Sequence, residues 1–124
     1  MAVRVLIAED EPAVAENLEA LLRAKGYETK WVADGAQAVA AAKRDRPDVM
    51  LLDIMLPKMD GFDVCRLLRA DPATQKVKII VVTGLGRMGD VETAFASGAT
   101  DYIIKPFDSD RLFKKIEKVL QSPS

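Results

Sequence analysis

A chain of 124 residues that is 49% hydrophobic and 30% charged has the size and composition of one globular domain. The net charge of −1 and the lack of a long apolar run argue against a nucleic-acid or membrane surface, so we expect a cytoplasmic protein. One cysteine and no histidine exclude an internal disulfide, a cysteine-based metal site and imidazole catalysis.

The apolar pattern predicts five strands that alternate with five helices. The predicted strands are residues 3–8, 27–32, 49–52, 79–82 and 102–104. The predicted helices are residues 12–22, 36–43, 62–68, 91–96 and 110–120. Pro12 suits the first turn of the first helix, Asp34-Gly35 reads as a turn, and Ser109 is expected to cap the last helix. This alternation favours an α/β fold with a parallel sheet and right-handed crossovers.

Polar side chains stand where four of the predicted strands end. Glu9 and Asp10 follow the first strand, and Asp53 follows the third. Thr83 follows the fourth strand and Lys105 the fifth. Three of these strands are apolar at successive positions, which indicates burial on both faces, and ligands of such open sheets bind outside the carboxyl ends of the strands. We therefore expect three acids, a hydroxyl and an ammonium to meet at one edge.

Three carboxylates at one edge would repel each other strongly. Two like charges about 4 Å apart repel by roughly 4 kcal/mol at an effective dielectric constant near 20. A bound cation relieves this repulsion, and an all-oxygen set of ligands suits Mg²⁺. The alternative is that Lys105 alone compensates the acids, as part of a structural ion pair.

This set of residues resembles the receiver domain of two-component response regulators, and of chemotaxis regulators in particular. The resemblance covers nearly the whole chain, with residues 1–121 as the receiver and 122–124 as a flexible tail. It implies a flavodoxin-like sheet with the strand order 2-1-3-4-5. It also implies that Asp53 accepts a phosphoryl group from a sensor histidine kinase or a histidine phosphotransfer protein. The donor must be another molecule, since this chain has no histidine.

The resemblance also assigns the metal ligands. Asp10, Asp53 and the backbone carbonyl of Met55 match direct ligands of Mg²⁺, and Glu9 matches an acid that acts through a metal-bound water. Lys105 matches a positive charge beside the transferred group. Phosphoryl transfer requires mainly an aligned nucleophile and neutralised charge. The domain is thus expected to assist its own phosphorylation and dephosphorylation, and to be no enzyme otherwise.

The remaining matches concern the response to phosphorylation. Thr83 resembles the family's switch hydroxyl, and Tyr102 its aromatic partner, which turns inward as the hydroxyl moves. Packing of Tyr102 on the last helix is the structural alternative, and the two roles are compatible. Lys105-Pro106 matches a pair joined by a cis peptide bond. The surface of the fourth and fifth helices is then expected to signal to a downstream protein target.

A glycine-rich loop follows the fourth strand and offers a competing interpretation. Gly84, Gly86 and Gly89 satisfy G-x-G-x-x-G between a predicted strand and a predicted helix, as in a dinucleotide-binding module. However, that fingerprint normally lies in the first strand-to-helix turn, and the next strand normally ends in an acid rather than in Lys105-Pro106. The structural alternative is a mobile loop, since glycine lowers the cost of backbone motion.

Two further alternatives remain. A small metal-dependent phosphohydrolase could use Asp53 as its nucleophile, but it would need a cap or pocket for which this chain has few residues. A structural interaction module with remnant acids would bind no Mg²⁺. Both a stand-alone protein and one piece of a longer regulator are consistent with the sequence.

Overall fold

Within residues 2–84 and 88–121, which the computed structural model describes, five strands alternate with five helices, as predicted. The strands are β1 (Arg4–Ala8), β2 (Glu28–Val32), β3 (Val49–Asp53), β4 (Lys78–Gly84) and β5 (Asp101–Lys105). The helices are α1 (Pro12–Ala24), α2 (Gly35–Asp45), α3 (Gly61–Ala70), α4 (Met88–Ser97) and α5 (Ser109–Gln121). The predicted tail at 122–124 lies outside the described residues.

All neighbouring strands pair in parallel, in the order β2-β1-β3-β4-β5. The predicted flavodoxin-like order is therefore confirmed. The chain leaves β1 toward β2 on one side and returns to β3 on the other, so the crevice at the carboxyl ends of β1 and β3 is the place where such sheets bind ligands. Among the described residues, no helix is long and apolar enough to cross a bilayer.

The core has two layers because the three central strands are buried on both faces. On one face pack Leu6, Ala8, Met50, Leu52, Ile79 and Val81. On the other face pack Val5, Ile7, Val49, Leu51, Ile80 and Val82. Alternate residues of each strand point to opposite sides, so helices on both sides are required to cover them. Because β1, β3 and β4 are packed on both faces, their carboxyl ends have defined positions.

The residues just before α2 and α5 have roles that the sequence analysis did not assign to them. The chain bends at Asp34 as predicted, and the side chain of Asp34 also accepts a hydrogen bond of 2.8 Å from the backbone N–H of Gln37 and so caps α2. The prediction that Ser109 caps α5 is wrong. Asp108 accepts from the backbone N–H of Arg111 at 2.8 Å, and Ser109 is the first helical residue. A carboxylate is as good a cap as a hydroxyl, and its charge also favours the positive end of the helix.

The loop between β3 and α3 packs closely against the start of α2. A Cβ atom on Gly35 would lie only 2.3 Å from the backbone oxygen of Met59, so only glycine permits this approach. Lys58, in the same loop, has a positive φ of 68° and its Nζ lies 3.6 Å from the buried carboxylate of Asp34. These contacts hold the loop that begins directly after Asp53.

Candidate active site

Three carboxylates come together at the carboxyl end of the sheet. Glu9 and Asp10 directly follow β1, and Asp53 is the last residue of β3. One oxygen from each of the three lies within 4.8 Å of the others. Glu9 and Asp53 are buried, whereas Asp10 is exposed. The acids therefore converge as the strand pattern predicts, and they form an all-oxygen set of possible metal ligands.

Lys105, at the end of β5, pairs with two of these acids. Its Nζ lies 2.9 Å from Asp53 Oδ2 and 3.3 Å from Glu9 Oε1. One ammonium facing three ionised carboxylates leaves an excess of negative charge. The structural ion pair considered above thus exists, but it does not balance the site by itself. The Lys105–Pro106 peptide bond is cis, as the resemblance implies.

The environment raises the pKa of both Glu9 and Lys105. Burial raises the pKa of Glu9, and the charge of Asp53 adds to this, against a hydrogen bond from the Glu11 N–H and the charge of Lys105. Burial by itself would lower the pKa of Lys105, but its hydrogen bond to Asp53 and the charges of both acids outweigh that effect. The ammonium is thus held in its charged form. The raised pKa of Glu9 comes first from its burial and second from the charge of Asp53.

Both oxygens of Asp53 are held by the surrounding chain. Oδ1 accepts a hydrogen bond of 2.9 Å from the backbone N–H of Met55, while Oδ2 accepts from Lys105. Met55 is 63% exposed and lines the same cleft as Asp53. A carboxylate fixed at both oxygens has a defined orientation, which an attacking group requires.

Thr83 shares a cleft of about 320 Å³ with Asp10, Asp53 and Lys105. Its hydroxyl is buried and has no hydrogen-bond partner within the part of the chain that the structure describes. A buried polar group without a partner costs about 1–3 kcal/mol. An acceptor oxygen bound in this cleft would relieve that cost, so the hydroxyl is an unused donor at the place where the resemblance puts a switch.

Tyr102 lies on β5 between the last two helices. Its ring meets the ring of Phe95 on α4 edge to face, with centroids 6.0 Å apart and an interplanar angle of 88°. Lys115 of α5 stands over the same ring, with Nζ 4.7 Å from the centroid, and forms an ion pair of 3.1 Å with Asp101. Packing on the last helix, the structural alternative, is therefore present. These contacts place Tyr102 where its movement would alter α4 and α5.

A second, mostly apolar cleft of about 550 Å³ lies between α1 and the start of α5. Val14 and Leu18 line it from α1, and Phe107 lines it from the segment before α5. Asp53 and Lys105 also line this cleft. The acidic site is therefore bordered by a mostly apolar cleft.

The competing glycine motif falls only partly within the described residues. Gly84 ends β4 and lines the acidic cleft with Asp53, and Gly89 lies in the first turn of α4. Residues 85–87 lie outside the described residues, and so does the predicted mobility of their loop. Carboxylates beside Gly84 would repel a pyrophosphate, so the described part of the motif gives no support to a dinucleotide site.

Sequence reasoning missed one contact of the site. The indole Nε1 of Trp31 donates a hydrogen bond of 2.6 Å to the backbone oxygen of Glu9. No local signal points to this bond, because it depends on how β2 aligns beside β1.

Comparisons with known proteins agree with this geometry. The family model described as the response regulator receiver domain matches residues 5–117. Response regulator PleD of Caulobacter vibrioides is 42% identical over 119 residues, which are 96% of this chain and 26% of PleD. The chain thus spans about a quarter of the length of that relative.

Two solved structures have the same fold. The receiver domain of sensor histidine kinase PA1611 from Pseudomonas aeruginosa, with a magnesium ion coordinated in its active-site cleft, has a TM-score of 0.90 at 37% identity, over 98% of this chain and 100% of that one. Chemotaxis response regulator CheY4 of Vibrio cholerae has a TM-score of 0.90 at 28% identity, over 96% of this chain and 99% of that one. Because the family model covers most of the chain, this protein belongs to the response regulator receiver domain family.

Proposed function

We propose that Asp53 accepts a phosphoryl group from a histidine kinase or a histidine phosphotransfer protein, and that residues 1–121 form the receiver that this group switches. The observation that carries the proposal is the pairing of an oriented carboxylate with a buried, unpartnered Thr83 hydroxyl in one cleft. The carboxylate offers the nucleophile, and the hydroxyl offers a donor that only a new acceptor can use.

The donor set fits magnesium. One carboxylate oxygen from each of three acids lies within 4.8 Å of the others. Oxygen ligands with an excess of negative charge are those that this hard cation takes. Asp10, Asp53 and the backbone carbonyl of Met55 would hold the ion directly, and Glu9 would act through a bound water. Bound Mg²⁺ would neutralise charge on the transferred oxygens. The magnesium-containing receiver of PA1611 supports this assignment.

The chain's own residues supply the other requirements of transfer. An oxygen of Asp53, oriented by the Met55 N–H, forms the new bond to phosphorus as the bond between phosphorus and the donor's imidazole nitrogen breaks. Lys105 lies 2.9 Å from the same carboxylate and stabilises the negative charge on the phosphoryl oxygens. No other catalytic activity is proposed. We expect the reaction to take place in the cytoplasm.

The product changes the balance of contacts in the site. An acyl phosphate carries roughly two negative charges and several strong acceptor oxygens, where the free carboxylate carries one charge. Thr83 gains a partner, and Lys105 gains a further acceptor beyond Asp53 and Glu9, only in the phosphorylated state. A difference in contacts is what shifts a two-state equilibrium. We propose that Tyr102 responds to the movement of Thr83 and that the surfaces of α4 and α5 transmit the change to a protein target. No observation within residues 2–84 and 88–121 favours the phosphohydrolase or the nucleotide-binding module.

A titration with Mg²⁺ and beryllofluoride, a stable mimic of the phosphoryl group, tests the proposed function. We expect the backbone amide resonances of Thr83, Tyr102 and α5 to shift together when both are present. Mg²⁺ alone should move mainly the resonances of residues at the ends of β1 and β3. A protein that shows no response to the combination, at concentrations that saturate other acyl-phosphate sites, would contradict the proposal.

The phosphorylated form should lose its phosphoryl group slowly, because the Met55 thioether cannot orient an attacking water. Met55→Asn places a carboxamide at the exposed rim beside Asp53, and we expect dephosphorylation to accelerate by about tenfold or more. The measurement is the decay of phosphoprotein in the purified chain. Leu67→Asn is the matched control, because Leu67 is another exposed apolar residue but lies on α3. Loss of the group from the unmodified protein within seconds would contradict this prediction.

A further inference from the structure

Trp31 is the only tryptophan of the chain and lies on β2, beside β1, the strand that Glu9 and Asp10 directly follow. Its indole Nε1 donates to the backbone oxygen of Glu9 at 2.6 Å. The backbone N–H of Glu9 in turn donates to the oxygen of Val32 at 3.0 Å. The main chain of Glu9 is thus held by β2 at both its N–H and its C=O, although β1 itself ends at Ala8.

The indole takes the place of a missing ladder bond. In a parallel pair the N–H and C=O of one residue bond to residues two apart on the neighbouring strand. The N–H of Glu9 donates to the oxygen of Val32, so a continued ladder would have the N–H of Asp34 donate to the oxygen of Glu9. However, β2 ends at Val32, and Asp34 has turned away to cap α2. The side chain of Trp31 supplies the donor that the backbone of β2 no longer offers.

This bond fixes a peptide plane that both acids share. The carbonyl of Glu9, the N–H of Asp10 and the Cα atoms of both residues lie in one plane, because the peptide bond is planar. A hydrogen bond that sets the direction of the Glu9 carbonyl therefore restrains ψ of Glu9 and φ of Asp10, two of the backbone torsions that determine how the acidic side chains leave the main chain. Mg²⁺ tolerates little error in ligand position.

We propose that Trp31 is a positioning residue for the metal site, acting through the Glu9–Asp10 peptide rather than by touching the ion. The proposal rests on the proposed function, since it presupposes that these acids bind Mg²⁺. Loss of the indole donor should raise the Mg²⁺ dissociation constant by roughly three- to tenfold. This is the effect expected when one neutral hydrogen bond that positions the metal ligands is lost.

Two substitutions test this directly. Trp31→Phe removes the donor and part of the ring, and benzothienylalanine at position 31 keeps the fused ring but replaces the N–H with sulfur. Thr29→Val is the matched control, because it removes side-chain hydrogen bonds to Arg23 and Glu19 from the same strand, away from the acids. The Mg²⁺ dissociation constant is measured by calorimetry, well below the unfolding temperature of each protein.

We expect weaker Mg²⁺ binding in both Trp31 variants and a change of less than about twofold in Thr29→Val. Unchanged affinity in the benzothienylalanine protein, or equal weakening in the control, would overturn the proposal. If the unmodified protein binds no Mg²⁺ at all, the proposed function itself fails; if it binds normally and only the variants show no effect, the role of Trp31 alone fails.

The unmodified protein offers a second measurement that does not depend on any variant folding. A single tryptophan gives a single indole N–H resonance. Because this proton bonds to the carbonyl between the two acids, we expect the resonance to shift during a Mg²⁺ titration and to stay unmoved at matched ionic strength with Na⁺. An indole N–H resonance that does not shift at saturating Mg²⁺ would contradict the proposed coupling between Trp31 and the metal site.

Discussion

Asp53→Asn is expected to abolish incorporation of a phosphoryl group while leaving the fold intact. The carboxamide has nearly the same shape as the carboxylate but is not a nucleophile, so no acyl phosphate can form. The fold should persist because the substitution removes one of three mutually repelling acids from the end of an otherwise apolar strand. The measurement is the transfer of labelled phosphate from phosphoramidate, a small donor whose phosphorus–nitrogen bond resembles that of phosphohistidine.

Asp110→Asn is the matched control for this experiment, since Asp110 is an exposed acid in the first turn of α5. It should accept label as the unmodified chain does. Circular dichroism and the unfolding temperature establish that both variants are folded. Label on the Asp53→Asn protein equal to that on the unmodified chain would show that another residue is the acceptor.

Lys105→Met is expected to lower the free energy of unfolding at neutral pH by about 1–2 kcal/mol. The variant leaves the buried carboxylates of Glu9 and Asp53 without their shared cation. Breaking a fully buried pair typically costs about 3–5 kcal/mol, and we expect less here because the lysine side chain is 36% exposed. Urea unfolding of the variant and of Lys76→Met, which changes an exposed lysine between α3 and β4, provides the comparison.

The effect of Lys105→Met should depend on pH with a defined sign. Since the pKa of Glu9 is raised in the folded state, its ionised form destabilises the fold, and stability is lost as the pH rises through the ordinary pKa toward the raised one. Without Lys105 the pKa of Glu9 rises further, because the lysine charge normally lowers it. The difference in unfolding free energy between Lys105→Met and the unmodified chain should therefore decrease at acidic pH, where Glu9 is protonated.

Magnesium should partly rescue the same variant. A ligand that binds only the folded state adds stability in proportion to its affinity and concentration. Removal of the competing ammonium makes the three acids more attractive to a cation, so Mg²⁺ should raise the unfolding temperature of Lys105→Met more than that of the unmodified chain. If the loss of stability in Lys105→Met is independent of both pH and Mg²⁺, then lost packing, rather than lost charge, is responsible.

The sheet and the convergence of the acids were readable from the sequence because each depends on strong local patterns. Runs such as residues 49–52 and 79–82 are short and apolar at every position, which is typical of a strand covered on both faces. Once the strands are parallel, their carboxyl ends share one edge, and the polar residue after each run must lie there. The convergence of Asp10 and Asp53 follows from topology without any knowledge of distances.

The sequence could not decide which of two neighbouring residues with similar capping ability caps a helix. Asp108 and Ser109 are both good helix caps, and only the path of the chain from β5 to α5 selects the aspartate. Likewise, Asp34-Gly35 has the composition of a turn, and only the structure shows that Asp34 also caps α2.

By itself, the sequence determined the α/β class, the five strands, the edge at which a site forms and the chemical groups available there. The tertiary structure alone decided which groups touch: Lys105 with Glu9 and Asp53, Lys115 with Tyr102, and Trp31 with the carbonyl of Glu9. The physical reason is the distance along the chain between the residues that interact. Hydrophobic periodicity is a property of neighbouring residues, whereas these contacts join positions from different strands and helices, and their existence depends on strand register and helix packing to within about an ångström.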